Sequence, residues 1–175
     1  MSPAFRVHEQ NPSELIETAF FRVQQERMVD VPILNLALSV EAIDVQPWQG
    51  HWLGMLVTPW CMTVLLLPGK TEDWETVSDN ARRFIKFPAG EFAFLGSEED
   101  GLGEFQSCAL FSPMDRFANQ SEAVMTARAS LITLLMPPGG HVATQDAAKE
   151  ATKEVAADQP ASPSRRRLFS TLVRS

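Results

Sequence analysis

The stretch Val45–Gly69, VQPWQGHWLGMLVTPWCMTVLLLPG, decides the fold of this chain. Its 25 residues include no Lys, Arg, Asp or Glu, and they hold three of the four tryptophans. About 20 apolar residues in a helix span a bilayer, but prolines and glycines interrupt helical hydrogen bonding here. Two short strands, Trp52–Val57 and Met62–Leu67, joined by a turn at residues 58–61, explain the pattern better. We therefore predict a buried strand pair and not a membrane anchor.

Helices and further strands are predicted on both sides of this pair. Residues 11–27 begin with Asn-Pro, which is typical of a helix start, and continue with apolar side chains at helical spacing. Residues 119–136 show the same spacing. Residues 71–83 are acidic first and basic last, which predicts a third, short helix. The remaining predicted strands are residues 40–46, 91–95 and 104–111, the last two joined by a tight Asp-Gly turn at residues 100–101.

The predicted fold class is α+β. We expect a single compact domain over residues 1–140, with a mainly antiparallel sheet and two or three helices against one sheet face. Residues 141–175 form a second segment, rich in Ala, Thr, Gln, Pro and charge. Because such a segment buries too little apolar surface to offset its ordering entropy, we predict a disordered C-terminal tail. The tail carries a basic-apolar peptide, RRRLF, at residues 165–169.

The charge distribution argues against nucleic acid as a partner. The net charge is −7, and residues 1–140 hold 9 basic and 18 acidic residues, whereas phosphate binding needs a basic face. An acidic domain attracts basic ligands. Two cysteines are too few for a disulfide framework or a structural zinc site. The N-terminal residues lack an apolar run, so we expect no signal peptide and a cytoplasmic protein.

No pattern typical of an enzyme occurs in the sequence, which lacks a metalloprotease motif, a nucleophile elbow and a phosphate-binding loop. His51 has no evident partner to orient it as a base, so a sheet position explains it better. Cys61 and Cys108 lie in apolar surroundings, which is typical of inert core thiols. If their strands are neighbours, the sulfurs could approach and support soft-metal or redox chemistry. We expect no enzymatic activity, no metal and no cofactor.

Two aromatic residues and one acidic turn are candidate contacts for a partner. Trp52 lies within a predicted strand, where a core role is more frequent. Trp60 follows Pro59 in a turn, and large aromatic side chains in turns often anchor partners. The acidic residues are Glu98, Glu99 and Asp100, which matter only if the partner is basic.

Several motifs, in order along residues 10–138, resemble the HybE/HupJ/HoxT family of nickel–iron hydrogenase assembly chaperones. The main one is GHWLGMLVTPW at residues 50–60. The others are LLPG at residues 66–69, Trp74, the Pro-Ala-Gly turn at residues 88–90 and SCALFSP at residues 107–113. Cys61 lies outside the pattern of that family, and the basic-apolar end of the chain is similar to the tail of some members.

The resemblance implies a maturation chaperone that binds the hydrogenase small subunit precursor, with its twin-arginine signal peptide, before export. Other hydrogenase maturation proteins are further candidate partners, and neither nucleic acid nor membrane insertion is expected. A basic, apolar signal peptide suits an acidic domain with aromatic turns. The expected contact residues are Trp52, Thr58, Pro59, Trp60, Glu98, Glu99 and Asp100.

Two alternatives remain open at this point. One is a thiol- or metal-dependent factor that protects iron–sulfur cluster assembly of the small subunit from oxygen, with Cys108 as the candidate redox residue. The other is a non-catalytic scaffold within the maturation complex.

Overall fold

The computed structural model describes residues 4–139, which form two helices and one six-stranded sheet. In chain order the elements are α1 (Ser13–Arg27), β1 (Glu41–Trp48), β2 (His51–Val57), β3 (Met62–Leu67), β4 (Arg82–Phe87), β5 (Gly90–Glu99), β6 (Gly103–Phe111) and α2 (Gln120–Leu135). The strand order is β1-β2-β3-β6-β5-β4, with every adjacent pair antiparallel. The predicted α+β class and the predicted strand pair are confirmed. The predicted tail lies outside the described residues.

The two strands of the opening stretch, β2 and β3, are buried on both faces of the sheet. On one face Leu53, Met55 and Val64 pack into a core that includes Leu131 of α2. On the other face Leu56 and Leu65 belong to a core formed with α1, which contributes Ile16 and Ala19. The expectation that the helices share one face is therefore wrong, because α1 and α2 cover opposite faces. A strand whose alternating side chains enter two different cores must be apolar at nearly every position.

The sheet curls around the core on the α2 face. Trp48 of β1 stacks on Phe87 of β4 with ring centroids 4.7 Å apart, although β1 and β4 are the two edges of the sheet. Phe87 in turn stacks on the fully buried Phe94 of β5. This curvature leaves the opposite face of β4 and β5 less covered, and Phe84 there is 64% exposed.

Two short connections show how turn geometry follows from residue type. Gln49 and Gly50 both have positive φ, 52° and 81°, between the paired residues Trp48 and His51. Positive φ at both central residues is the geometry of a type I′ hairpin turn. The acidic turn is a loop of three residues, 100–102, closed by the pairing of Glu99 with Gly103, and not the tight two-residue turn expected.

The predicted helix at residues 71–83 is wrong. This segment connects β3 to β4 and runs across the sheet as an irregular chain, with β4 starting at Arg82. Side chains of β6 take up its backbone groups. Gln106 Nε2 donates to the Glu75 carbonyl at 2.7 Å, and Glu104 Oε1 accepts from the Val77 amide at 3.0 Å. Groups bonded in this way are not available for helical hydrogen bonds, so tertiary contacts override the charge pattern.

Neither α1 nor α2, the helices within residues 4–139, is long and apolar enough to cross a membrane.

Candidate functional site

The predicted contact residues fall into two groups at opposite ends of the sheet. Thr58, Pro59 and Trp60 lie in the β2–β3 turn, beside the end of β6, because Met62 pairs with Phe111. The acidic turn precedes β6 at its other end, together with Trp52 of β2, which pairs with Leu67. Since β6 has nine residues that rise by about 3.3 Å each, the acidic turn is about 26 Å from the β2–β3 turn, and Trp52, six residues before Thr58, is about 20 Å from it. One compact site cannot include both.

Thr58 organises the turn that presents Trp60. Its side chain is fully buried, and its hydroxyl donates to the Cys61 carbonyl at 3.0 Å. The same oxygen accepts from the backbone amides of Cys61 at 2.9 Å and Trp60 at 3.3 Å. Pro59 is buried and Trp60 is half-buried, so the indole is only partly enclosed by its own domain. The predicted exposure of an aromatic surface at this turn is therefore compatible with the structure, and partner binding there stays a prediction.

Asn35 joins the loop before β1 to this turn. Its amide donates to the Pro59 carbonyl at 2.8 Å, and its side-chain Nδ2 donates to the carbonyls of Met114 and Phe117 at 2.9 and 2.7 Å. Its Oδ1 accepts from the Ala37 amide at 3.0 Å. Residues from three separate parts of the chain, 28–40, 58–61 and 112–118, are thus fixed side by side. A half-buried side chain with several hydrogen bonds, as Asn35 has, holds loops in one arrangement.

A groove lies between the first and third of these parts, and we name it the apolar groove. Its volume is about 490 Å³, within the range of ligand-binding clefts. It is lined by Pro32, Ile33, Leu34, Asn35, Leu36, Pro113, Asp115 and Phe117. Leu36 is 86% exposed and Ile33 is 37% exposed, and the neighbouring Val29 is 66% exposed. Apolar side chains grouped at a surface in this way are typical of a contact site for another chain.

One acidic side chain lines the apolar groove, and a second lies close to the lining residues in the sequence. Asp115 lines the groove itself, and Asp30 is an exposed residue two positions before Pro32. A basic side chain, Arg116, lies over the Phe111 ring at 5.0 Å from the centroid, in a cation–π contact. The groove therefore combines apolar side chains with one carboxylate, that of Asp115.

Sequence reasoning missed the apolar groove, although a signal was present. Val29–Ala37, VDVPILNLA, is loop-like in the sequence because of Pro32, and Leu38 follows it. Loops are mostly polar because they run over the surface. A loop rich in Val, Ile and Leu must either fill a core or expose apolar surface, and here only Leu38 is buried in the core. This conflict between loop position and composition is the signal in the sequence that indicates a binding surface.

The acidic turn is engaged by arginines of its own chain. Arg27 of α1 forms an ion pair with Glu99 at 2.6 Å, and Arg6 donates to the Gly101 carbonyl. A second groove of about 330 Å³ lies there, lined by Ala19, Arg22, Val23, Glu26, Arg27, Glu98, Glu99 and Asp100. Because these arginines already offset part of the acidic charge, less negative charge is available at this turn to attract a basic partner than the sequence suggests. A partner role for these acidic residues stays a prediction.

Trp52 and His51 both have structural hydrogen bonds. The Trp52 indole Nε1 donates to the His8 carbonyl at 2.8 Å, and its ring packs on the α1-face core. His51 Nδ1 accepts from the Gly69 amide at 3.2 Å, and burial lowers the pKa of the imidazole. Neutral, buried His51 accepts this hydrogen bond and so connects the start of β2 to the residues that follow β3. This geometry supports the sheet interpretation over the catalytic one.

Cys61 directly precedes β3 and Cys108 lies in β6, which are adjacent strands, but the two cysteines are not opposite each other. β3 and β6 do pair, as the redox alternative required. However, Cys108 lies opposite Val64, three residues beyond Cys61, which corresponds to about 10 Å along the strand. Burial raises the pKa of each thiol to about 11. Both cysteines are therefore protonated at neutral pH, which favours the core interpretation.

Alkylation should be slow at both cysteines. With each pKa at about 11 against an ordinary 9.0, the thiolate fraction at pH 8 is about a hundredfold lower in the folded chain, and the rate falls with it. We expect iodoacetamide labelling in native buffer to be slower by that factor than in urea, as followed by mass spectrometry. Cys61→Ala and Cys108→Ala variants assign each rate. A native rate within a few-fold of the rate in urea at Cys108 would contradict this and restore the redox alternative.

Comparison with known proteins identifies the family. The family model described as NiFe-hydrogenase assembly chaperone, HybE, matches residues 11–171. This chain belongs to that family. The resemblance inferred from the GHWLGMLVTPW motif is thus confirmed, and that motif comprises Gly50, the whole of β2 and the first three residues of the β2–β3 turn.

Curated relatives carry names that agree with the family. The hydrogenase expression/formation protein HupJ of Bradyrhizobium diazoefficiens is 40% identical over 71% of this chain and 72% of its own length. Protein HoxT of Cupriavidus necator is 36% identical over 70% of this chain and 75% of its own. The probable rubredoxin HupJ of Rhodobacter capsulatus is 36% identical over 66% of this chain. This chain spans only 41% of that last relative's length.

A solved structure shows the same fold. The solution structure of HybE from Escherichia coli superposes with a TM-score of 0.62 at 23% sequence identity, over 82% of this chain and 91% of the other. Membership of the family establishes a role in hydrogenase maturation and implies hydrogenase-related partners.

Proposed function

We propose that this protein is a cytoplasmic chaperone that binds the small subunit precursor of a NiFe hydrogenase through its twin-arginine signal peptide before export. It acts by binding and not by catalysis. The family and the hydrogenase expression/formation names of its relatives support the maturation role. The choice of a signal peptide as the bound segment is supported by the chemistry of the apolar groove.

The observation that carries this proposal is the exposure of Ile33 and Leu36 in the apolar groove. Asn35 holds this groove against the β2–β3 turn, which belongs to the GHWLGMLVTPW motif. An extended peptide that lays apolar side chains on these residues would remove them from water, and about 25 cal/mol is gained per Å² of apolar surface buried. The Asp115 carboxylate in the lining, with the exposed Asp30 two positions before Pro32, favours basic side chains next to the apolar segment. A twin-arginine signal peptide carries its arginine pair beside an apolar run, which matches this arrangement.

Replacing both exposed apolar side chains of the groove should weaken precursor binding. For the double variant Ile33→Ser and Leu36→Ser we expect affinity for the purified precursor to fall about tenfold or more, as for the loss of anchor side chains in other interfaces. Because Ile33 is 37% and Leu36 is 86% exposed, the fold should stay intact. Isothermal titration calorimetry with the precursor measures the effect.

A matched control is available on the other side of the molecule. Phe84 and Leu95, on β4 and β5, are 64% and 40% exposed, so Phe84→Ser with Leu95→Ser removes comparable apolar surface. This control should bind the precursor as the unaltered chain does. Equal loss in both double variants would refute the groove as the site. Unchanged binding after deletion of the signal peptide, or after replacement of its two arginines, would refute the signal peptide as the bound segment.

A further inference from the structure

We propose that the chain's own peptide at residues 165–169 occupies the apolar groove when no partner is bound, and that the hydrogenase signal peptide must displace it. The displacement rests on the proposed function. The docking of the peptide on the groove does not, because it follows from the groove and the sequence alone.

The peptide has the chemistry that the apolar groove accepts. Three arginines are followed directly by Leu168 and Phe169. The arginines suit the Asp115 carboxylate in the lining and the exposed Asp30 two positions before Pro32. The two apolar side chains suit the exposed Ile33 and Leu36. The family match extends to residue 171, so the peptide belongs to the matched sequence and is not an unrelated extension.

Charge draws the two parts of the chain together. Residues 1–140 hold 9 basic and 18 acidic residues, whereas residues 141–175 hold 6 basic and 4 acidic residues. Half of the basic residues in that last segment are the three consecutive arginines of the peptide. Opposite net charges favour encounter between the segments at low ionic strength.

The chain length allows the peptide to reach the groove. Helix α2 starts close to the groove, because Asn119 caps it two residues after the lining residue Phe117. Its 16 residues span about 24 Å, so the described chain ends about that far away, near Gly139. The 25 residues from 140 to 164 extend at most about 80 Å. A flexible Gly-rich chain of that length has a root-mean-square span of about 28 Å, and a chain richer in Ala and Pro is stiffer and spans more. The distance required therefore lies within the reach of these residues.

A linker whose reach includes the distance produces an effective peptide concentration of about a millimolar. A peptide with a dissociation constant of about 0.1 mM would then occupy the groove about nine-tenths of the time. The same occupancy raises the apparent dissociation constant of a competing partner about tenfold. Even a weak intramolecular contact therefore regulates access to the groove.

Hydrogen exchange on the full chain, without any partner, tests the docking. The peptide variant replaces Arg165, Arg166 and Arg167 with Gln and Leu168 and Phe169 with Ser. We expect amides of residues 33–37 and 114–117 to exchange about three- to tenfold faster in this variant than in the unaltered chain. The control replaces Lys149, Lys153 and Arg174 with Gln, which removes the same number of charges from the same segment and should stay within twofold.

Each outcome separates this inference from the proposed function. Equal exchange in the peptide variant and the unaltered chain overturns the docking, and so does protection confined to residues 98–100. Protection that rises with protein concentration shows that a second copy is the occupant and overturns the intramolecular form. Calorimetry with a synthetic twin-arginine peptide should then give about three- to tenfold tighter binding to the peptide variant. Groove protection without any binding of that peptide supports the docking and refutes the proposed function.

Discussion

Gly54→Val should lower the free energy of unfolding by about 3 kcal/mol. Gly54 is in the middle of β2, opposite an irregularity of β1 where the register shifts between Ile43 and Gln46. This irregularity brings Val45 onto the glycine. A Cβ atom added at position 54 would lie 2.6 Å from Val45 Cγ2 and 2.9 Å from Val45 Cα. Because the second of these is a backbone atom, no side-chain rotation relieves the overlap.

The steric overlap at position 54 outweighs the backbone entropy that a side chain would recover there. A glycine in a strand costs about 0.5–1 kcal/mol relative to alanine, which any side chain at position 54 would recover. Overpacking a closed core costs about 1–3 kcal/mol. The steric term is the larger one, so Gly54→Ala should already destabilise the protein by about 1 kcal/mol, and the two further methyl groups of valine increase the loss.

Urea denaturation of the single and double variants checks this prediction. Val45→Ala removes the closer of the two contact atoms, so the double variant with Gly54→Ala should be less destabilised than the sum of the single changes. Gly101→Ala is the open control, since nothing lies within 4 Å of an added Cβ there and only its φ of +79° opposes the change. An unfolding midpoint of Gly54→Val equal to that of the unaltered chain would refute the close approach of β1 and β2.

Thr58→Val should cost about 2–3 kcal/mol, although valine has nearly the same shape as threonine. The lost hydroxyl leaves the amides of Trp60 and Cys61 without their acceptor. The site is fully buried at Thr58, and buried unpaired amides carry the full penalty of desolvation. The turn should relax as a result, moving Trp60 and the Pro59 carbonyl to which Asn35 is bonded.

Thr58→Ser is the matched control, because serine keeps the hydroxyl and removes only a methyl group. We expect Thr58→Ser to retain most of the stability lost in Thr58→Val, as followed by thermal and urea unfolding. Precursor affinity, compared under conditions where each variant is folded, should follow the same order, since the turn supports the apolar groove. Equal stability of the two variants would show that the hydroxyl does not organise this turn.

The location of the core was predictable from residues 45–69, whereas the arrangement of the helices was not. An unbroken apolar run bounded by Pro and Gly predicts buried strands, and both β2 and β3 formed where expected. The same run also indicates that both faces of the sheet are covered. A strand with one solvated face alternates between apolar and polar residues, and these two strands do not. The lack of alternation therefore indicates helices on both faces, which contradicts the predicted arrangement on one face.

Residues 71–83 show the limit of local patterns. Their charge order is favourable for a helix, but the free energy of a short helix is small. Buried Trp74 and Val77, with the bonds from Gln106 and Glu104, outweigh that local preference. Partners that lie about 30 residues away along the chain cannot be identified from the segment itself.

The sequence by itself determined the family, the α+β class and the β2–β3 turn, because these depend on residues adjacent in the chain. Only the tertiary structure decided which residues share a site. It placed Trp60 and the acidic turn at opposite ends of the sheet, and it brought Asn35, Pro59 and Phe117 together from three distant segments. The physical reason is that strand pairing and side-chain hydrogen bonds between remote residues, and not local preference, determine where loops meet.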